Sequence, residues 1–320
     1  MTLPAGFHEL VISVFDIDRI AEPMIEIGGW IRTDLPDASP ELARFWGAPA
    51  DCTRIEQSML TAPGRSDGSF RLIRFHVDQP QYLIRPAQHL WDTGGIFDVD
   101  VYVADIDSVY QGLLRRGWTA FGPPTRYAWS GFDVTEALMI GPDGVVVGLL
   151  KAHGAVYIDL PPIMGMSRAF NSAQVVRDYD VSMDFYCRGL GWKPLLDSRI
   201  DDAVEPGENV LGIPMPHART TLRRVSIVNP TGGNDGSIEL IELSGLHGRD
   251  FAENCRAPNI GYFAMQFFVD DAQGYADEIS ARGVALEEPP AALSIEPHGR
   301  VLAVSVMTPD NVRLEFLQRL

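Results

Sequence analysis

Residues 178–192, DYDVSMDFYCRGLGW, constrain this chain most, because they close a unit that recurs along it. An extended run, FNSAQVV, precedes Asp178. The Asp178 carboxylate can accept the free N–H groups of a first helical turn. Val181, Phe185 and Leu190 follow at roughly helical spacing and predict the apolar face. Gly189 and Gly191 can end the helix, since glycine enters the left-handed region without a Cβ clash. The same strand–Asp–helix–Gly–aromatic or apolar unit stands at residues 9–30, 98–118 and 264–284, with capping aspartates Asp16, Asp105 and Asp271. Longer repeats accompany it. PGRSDGSFRLIRF at 63–75 matches PTGGNDGSIELIEL at 230–243, and residues 122–150 match 288–317. The chain is therefore four modules, the third and fourth repeating the first and second, and such periodicity outranks local propensity.

A length of 320 residues predicts about two domains of ~150 residues each. They are expected at 1–153 and 154–320, with the Pro-Pro-bearing segment 151–168, which matches no module, as the linker. No apolar run approaches the roughly 20 residues that span a bilayer, and the first residues lack a basic-then-apolar leader. A cytoplasmic protein with no membrane partner is expected. A net charge of −17 argues against nucleic acid and anionic membranes as partners. Cys52, Cys187 and Cys255 stand singly, which excludes a CxxC zinc knuckle and points to free thiols.

Alternation divides each strand into a helix-facing and a concave side. Leu10, Ile12 and Val14 fall on one side of the first strand and Glu9 on the other. Val99, Val101 and Val103 oppose Asp98, Asp100 and Tyr102, and Val312, Leu314 and Phe316 oppose Arg313 and Glu315. Arg71 and Arg74 occupy the places that Glu239 and Glu242 hold in module 3. Residues 31–62 predict a loop with one or two strands, and residues 198–217 a polar insertion.

Repeated βαβββ units, with PDG and PDN turns (residues 142–144 and 309–311) before a last strand, resemble the vicinal oxygen chelate superfamily of glyoxalase I, extradiol dioxygenases, and fosfomycin- and bleomycin-resistance proteins. The resemblance implies an α+β fold in which four modules pair into two half-open barrels. It also implies a metal held on the concave sheet by the first and last strands of paired modules. Carried over, the first-strand ligands fall on Glu9, Asp98, Asn171 and Ala264, and the last-strand acids on Arg71, Gly148, Glu239 and Glu315. The family's histidine ligands are missing from all four first-strand positions.

Pairing consecutive modules gives two expected sites. The N-terminal one holds Glu9, Arg71 and Asp98, an ion-pair cluster without metal, because buried like charges need a partner. The C-terminal one holds Asn171, Glu239 and Glu315. These hard oxygen donors suit Mg, Mn or another hard divalent ion but not zinc. Without metal, the two carboxylates would form a general acid/base pair; the plainer reading is a rim carboxylate paired with Arg313 or Arg223. His298, in a loop, is a candidate for proton transfer. His217, Tyr262, Gln266 and Phe268 are candidate substrate contacts, with cavity filling as the ordinary alternative. The leading expectation is a glyoxalase-like lyase or isomerase acting on a small, largely apolar oxygenated molecule, with a homodimer as the candidate assembly. A metal-free sequestration protein is the alternative. A ring-cleaving dioxygenase is the third reading, against which the missing histidines count.

Overall fold

A computed structural model describes residues 3–87, 89–201, 211 and 213–320. Part of the expected 198–217 insertion therefore lies outside the described residues. Module 1 contains β1 (Glu9–Ser13), α1 (Ile17–Glu26), β2 (Ile31–Leu35), α2 (Pro40–Phe45), β3 (Arg54–Thr61) and β4 (Ser69–His76). Module 2 contains β5 (Asp98–Val103), α3 (Ile106–Arg115), β6 (Thr119–Ala120), β7 (Thr125–Trp129), β8 (Phe132–Ile140) and β9 (Val146–Ala152). Module 3 contains β10 (Met166–Val175), α4 (Tyr179–Asp184), β11 (Lys193–Asp201), α5 (Met215–Ala218), β12 (Leu222–Asn229) and β13 (Ser237–Ser244). Module 4 contains β14 (Gly261–Phe268), α6 (Ala272–Ala281), β15 (Leu286–Ile295), β16 (Gly299–Met307) and β17 (Arg313–Arg319). The fold is α+β.

Each capping aspartate does what its position predicts. Asp105, Asp178 and Asp271 accept the N–H three residues on, from Ser108, Val181 and Gly274, and Asp16 accepts that of Asp18. The apolar face of α4 differs from expectation. Val181 is exposed, whereas Tyr179, Ser182, Tyr186 and Leu190 are buried. The buried set keeps helical spacing in another phase, which leaves Val181 on the solvent side, and a π-turn over residues 185–189, in which Leu190 N–H bonds the Phe185 carbonyl, closes the helix. Residues 31–62 hold two strands, as expected, and, unexpectedly, the short helix α2 between them.

The sheets correct the expected module pairing. One runs β15-β16-β17-β14-β1-β4-β3-β2 and the other β11-β12-β13-β10-β5-β9-β8-β6, with β7 on β8. Module 1 thus shares a sheet with module 4, and module 2 with module 3. Antiparallel contact between first strands, β1 with β14 and β5 with β10, makes each junction. Consecutive modules meet through their helices instead. Ile27, at the end of α1, lies against Gly112 of α3, and Trp192 of module 3 packs on Phe267 of module 4. One apolar cluster joins the helix-facing sides of both sheets, from Leu10 and Ile12 through Val99 and Val101 to Leu314 and Phe316.

The PDG and PDN turns clasp these helix-side contacts. Asp143 Oδ2 accepts the Phe15 N–H at 3.1 Å, and Asp310 Oδ1 accepts the Arg177 N–H at 3.0 Å. Phe15 and Arg177 each directly precede a capping aspartate, so the two clasps are equivalent by the repeat. Asp310 also accepts from Arg177 Nε and Ser182 Oγ. Among the described residues no helix is long and apolar enough to cross a membrane. Asp310→Ala should cost about 2–3 kcal/mol, because it strands buried donors. Asp271→Ala removes one exposed cap and should cost about 1 kcal/mol. Urea unfolding of both variants checks the order.

Candidate functional site

The two sheets use their concave faces differently. On the module 1–4 sheet that face is filled. Val11, Phe75, Phe263, Ala264 and Leu293 pack there with Phe45 and Trp46, which the end of α2 inserts. Its charges are internally satisfied. The Arg71 guanidinium pairs with Glu9 and also donates to Gln57 Oε1 at 2.8 Å and to the Glu296 carbonyl at 2.7 Å. His298 Nε2 lies 3.0 Å from Glu9 Oε2. Burial would raise the Glu9 pKa, but the charge of Arg71, aided by His298, pulls it down to about 2. Glu315 accepts from Trp46 Nε1 (3.0 Å), Gln266 Nε2 (2.8 Å) and Arg313 Nε (2.9 Å).

On the module 2–3 sheet the same face encloses a cavity of about 500 Å³. Its floor comes from the paired first strands, where Asp98 stands opposite Ala173 and Asp100 opposite Asn171. Glu136 of β8, Glu239 of β13 and Arg223 of β12 stand around it, and Arg199 is exposed at the mouth. Phe97, Tyr102, Tyr127, Trp129, Phe132 and Phe170 supply aromatic wall. Asp100 Oδ1 fills the space over Gly148, lying 2.0 Å from where a Cβ there would stand. The glycine at this family-acid position therefore makes room for a neighbouring strand's carboxylate.

The four carboxylates perturb one another. Burial first, then the charge of Glu136, pushes Asp98 up to about 7 despite the Ala173 N–H that its Oδ1 accepts. Burial, with Glu136 and Asp98, pushes Glu239 up to about 8, while Arg223 opposes the shift. Asp100 is raised by burial and by Asp98, Glu136 and Glu239. Glu136 is raised by burial, against the Tyr127 hydroxyl that donates to it and the charge of Arg223. Four carboxylates around one poorly solvated cavity cannot all ionise together, so protons are held there at neutral pH.

Several expected groupings are thereby redrawn. Glu239 and Glu315 lie in different sheets and cannot act as a pair. Asp98 is likewise separated from Glu9 and Arg71. Asn171 stays with Glu239. Gln266 and His298 belong to the filled interior, where Phe268 packs against the His8 and His298 rings at 4.8 and 5.1 Å. A bulge sets Val11 against Ala264 but Ile12 against Tyr262, which turns Tyr262 off the concave face. Its hydroxyl donates to the Val146 carbonyl at 2.7 Å. His217 is exposed beside Trp91 and does not line the cavity. Sequence reading missed Glu136, Tyr127 and Arg199. Alternation of Val134, Glu136 and Leu138 along β8 was the available signal for Glu136.

These features meet known relatives at the level of fold. The sequence profile of the Glyoxalase/Bleomycin resistance protein/Dioxygenase superfamily matches residues 169–316. Solved structures of maize glyoxalase I align along the chain: the V278E mutant has a TM-score of 0.65 at 15% identity, covering 98% of this chain and 92% of that one. Maize glyoxalase I without that substitution gives 0.63 at 14% identity, with the same coverage. This chain has the glyoxalase/dioxygenase superfamily fold. A putative dioxygenase from Bacillus subtilis also aligns, with TM-score 0.57 and 11% identity over 100% of this chain and 86% of that one. No curated protein matches the sequence.

The superfamily's metal does not fit the residues present. Among the described residues no three His, Cys, Asp or Glu side chains converge on a metal-sized position. At the cavity the equivalent positions offer Asp98, Asn171, Gly148 and Glu239, with no histidine. In the filled interior Arg71 and Arg313 already neutralise Glu9 and Glu315.

Arg71→Ala should destabilise the protein by roughly 3–5 kcal/mol, the usual cost of stranding a buried charge. The Glu9 contribution has a definite pH window. Its folded pKa lies near 2, below the ordinary 4.5, so its stabilisation is present above about 4.5 and is lost as pH falls through about 2. Urea midpoints across acidic pH for wild type and Glu9→Gln check this, the variant showing the shallower decline.

Proposed function

We propose that the module 2–3 cavity is the active site of a lyase or isomerase that moves a proton on a small, largely apolar oxygenated molecule, without a metal. The observation that carries this reading is Glu239, a carboxyl raised to about 8 and facing an aromatic-walled cavity. A pKa near the working pH lets one group both take and return a proton. Glu136, steadied by the Tyr127 hydroxyl, and Asp98 keep Glu239 basic enough to serve. The aromatic walls hold the apolar body and exclude water. Glu315 has no part in this chemistry, because its oxygens are occupied by three internal donors.

Hydrogen–deuterium exchange into a panel of small carbonyl compounds, followed by NMR, tests the reading. Glu239→Gln should lower exchange or turnover by about 10²–10⁴-fold, the range for removing a general acid or base. Glu315→Gln should leave the rate per folded molecule unchanged, and chelator treatment should not alter wild type. A sequestration protein would show no turnover in any preparation, only altered affinity. Stability carries a second signature. Glu239 is raised from 4.5 to about 8, so its contribution is full below about 4.5 and is lost as pH rises through about 8. Glu239→Gln should flatten the decline in urea midpoint between about pH 4.5 and about pH 8.

A further inference from the structure

The cavity floor is built to receive hydrogen-bond donors. Asn171 is 2% exposed and lines the cavity, and its Oδ1 is buried without a partner. Its orientation follows from its neighbours. The Ser237 hydroxyl has one proton, directed at the Asn234 carbonyl at 2.9 Å or its side-chain oxygen at 3.1 Å. Ser237 Oγ must therefore accept from Asn171, which presents Nδ2 to it at 2.7 Å. That leaves Asn171 Oδ1 as the free acceptor. An unmade hydrogen bond at a buried oxygen is costly, and a ligand donor would recover that cost.

The acids beside it have the same need. Among the described residues no hydrogen bond reaches the side-chain oxygens of Asp100 or Glu239, and both keep partial exposure because they face the cavity. Among the described residues no lysine lines the cavity, and four carboxylates face two guanidiniums, one of them, Arg199, out at the mouth. An anionic ligand group at the floor would add to the repulsion that already keeps these carboxyls protonated. A cationic one would relieve that repulsion and let the acids ionise beside it, within a cavity that Tyr102, Tyr127 and Phe170 also line.

We propose that the ligand of this cavity is a small aromatic molecule bearing a protonated amine, seated with its ammonium directed at Asn171, Asp100 and Glu239. The inference rests on the module 2–3 cavity being the site, and it narrows the oxygenated substrates of that site to aromatic ones that also carry an amine. Binding forms no covalent bond. The ammonium's positive charge lets Asp100 and Glu239 ionise, their protons leaving to solvent; the ammonium then donates to Asn171 Oδ1 and the two carboxylates, and the ring lies against the aromatic wall.

Three probes sharing one ring system test it: tryptamine, tryptophol and indole-3-acetate, titrated calorimetrically into the full chain at neutral pH. Tryptamine should bind at least about tenfold tighter than tryptophol, the equivalent of about 1.4 kcal/mol, with indole-3-acetate weakest. Asn171→Leu and Glu239→Gln should each weaken tryptamine by about tenfold while leaving tryptophol within about threefold, as charge-assisted hydrogen bonds require. Asn171→Asp keeps an acceptor at that place and should retain tryptamine binding, which separates a lost contact from a damaged fold. Equal or tighter binding of tryptophol or indole-3-acetate overturns the amine assignment, as does binding of none of the three. If in either case Glu239→Gln still abolishes proton exchange, the active-site reading survives. Tryptamine affinity indifferent to both Asn171→Leu and Glu239→Gln overturns the placement itself.

Discussion

Each module exposes its first strand as a bare sheet edge, and the architecture depends on covering that edge. Unpaired N–H and C=O groups along a buried strand are costly. β1 and β14 cover one another, as do β5 and β10. Once first strands join in this way, the concave faces of two modules become one continuous surface, and whatever those strands carry there meets. The helix-facing sides are left to pack between the sheets, where the Asp143 and Asp310 clasps hold consecutive modules together.

This pairing gives one positional code two outcomes. In the module 1–4 sheet, arginines beside Glu9 and Glu315 neutralise them in place, and α2 delivers Phe45 and Trp46 into the remaining space. Breaking such a pair strands a charge, so these residues answer to stability. In the module 2–3 sheet, acids meet acids with Arg223 as the nearby counterweight, and the space stays open. Their pKa values rise because burial and mutual repulsion act in the same direction, and protons are stored where a ligand can reach them. Substitution of Gly148 for a side chain assists this, by letting the Asp100 carboxylate lie over β9.

Much of this was legible in the chain. Capping aspartates recur at equivalent positions because every helix start leaves the same free N–H groups, and all four accept a first-turn N–H. Alternation placed Asp98, Asp100 and Tyr102 together on the concave side, where they line the cavity. It failed at Tyr262, where one extra residue in β14 reverses the faces, and at Val181, where the buried side of the helix runs through Tyr179, Ser182 and Tyr186 instead. Periodicity fixes a spacing but not its phase, and one inserted residue resets that phase.

What the sequence determined by itself was therefore local and periodic: four modules, their helix starts, the sides of their strands, and which positions carry acids. Those properties follow from hydrogen bonds and side-chain directions within about twenty neighbouring residues. Only the tertiary structure decided which modules share a sheet, and so that Glu239 meets Asp98 and Glu136 rather than Glu315. All four first strands offer similar edges, and nothing local distinguishes one partner from another. The choice is made by the packing of helices between sheets and the clasps that bind consecutive modules back to back, contacts that exist only once the whole chain is assembled.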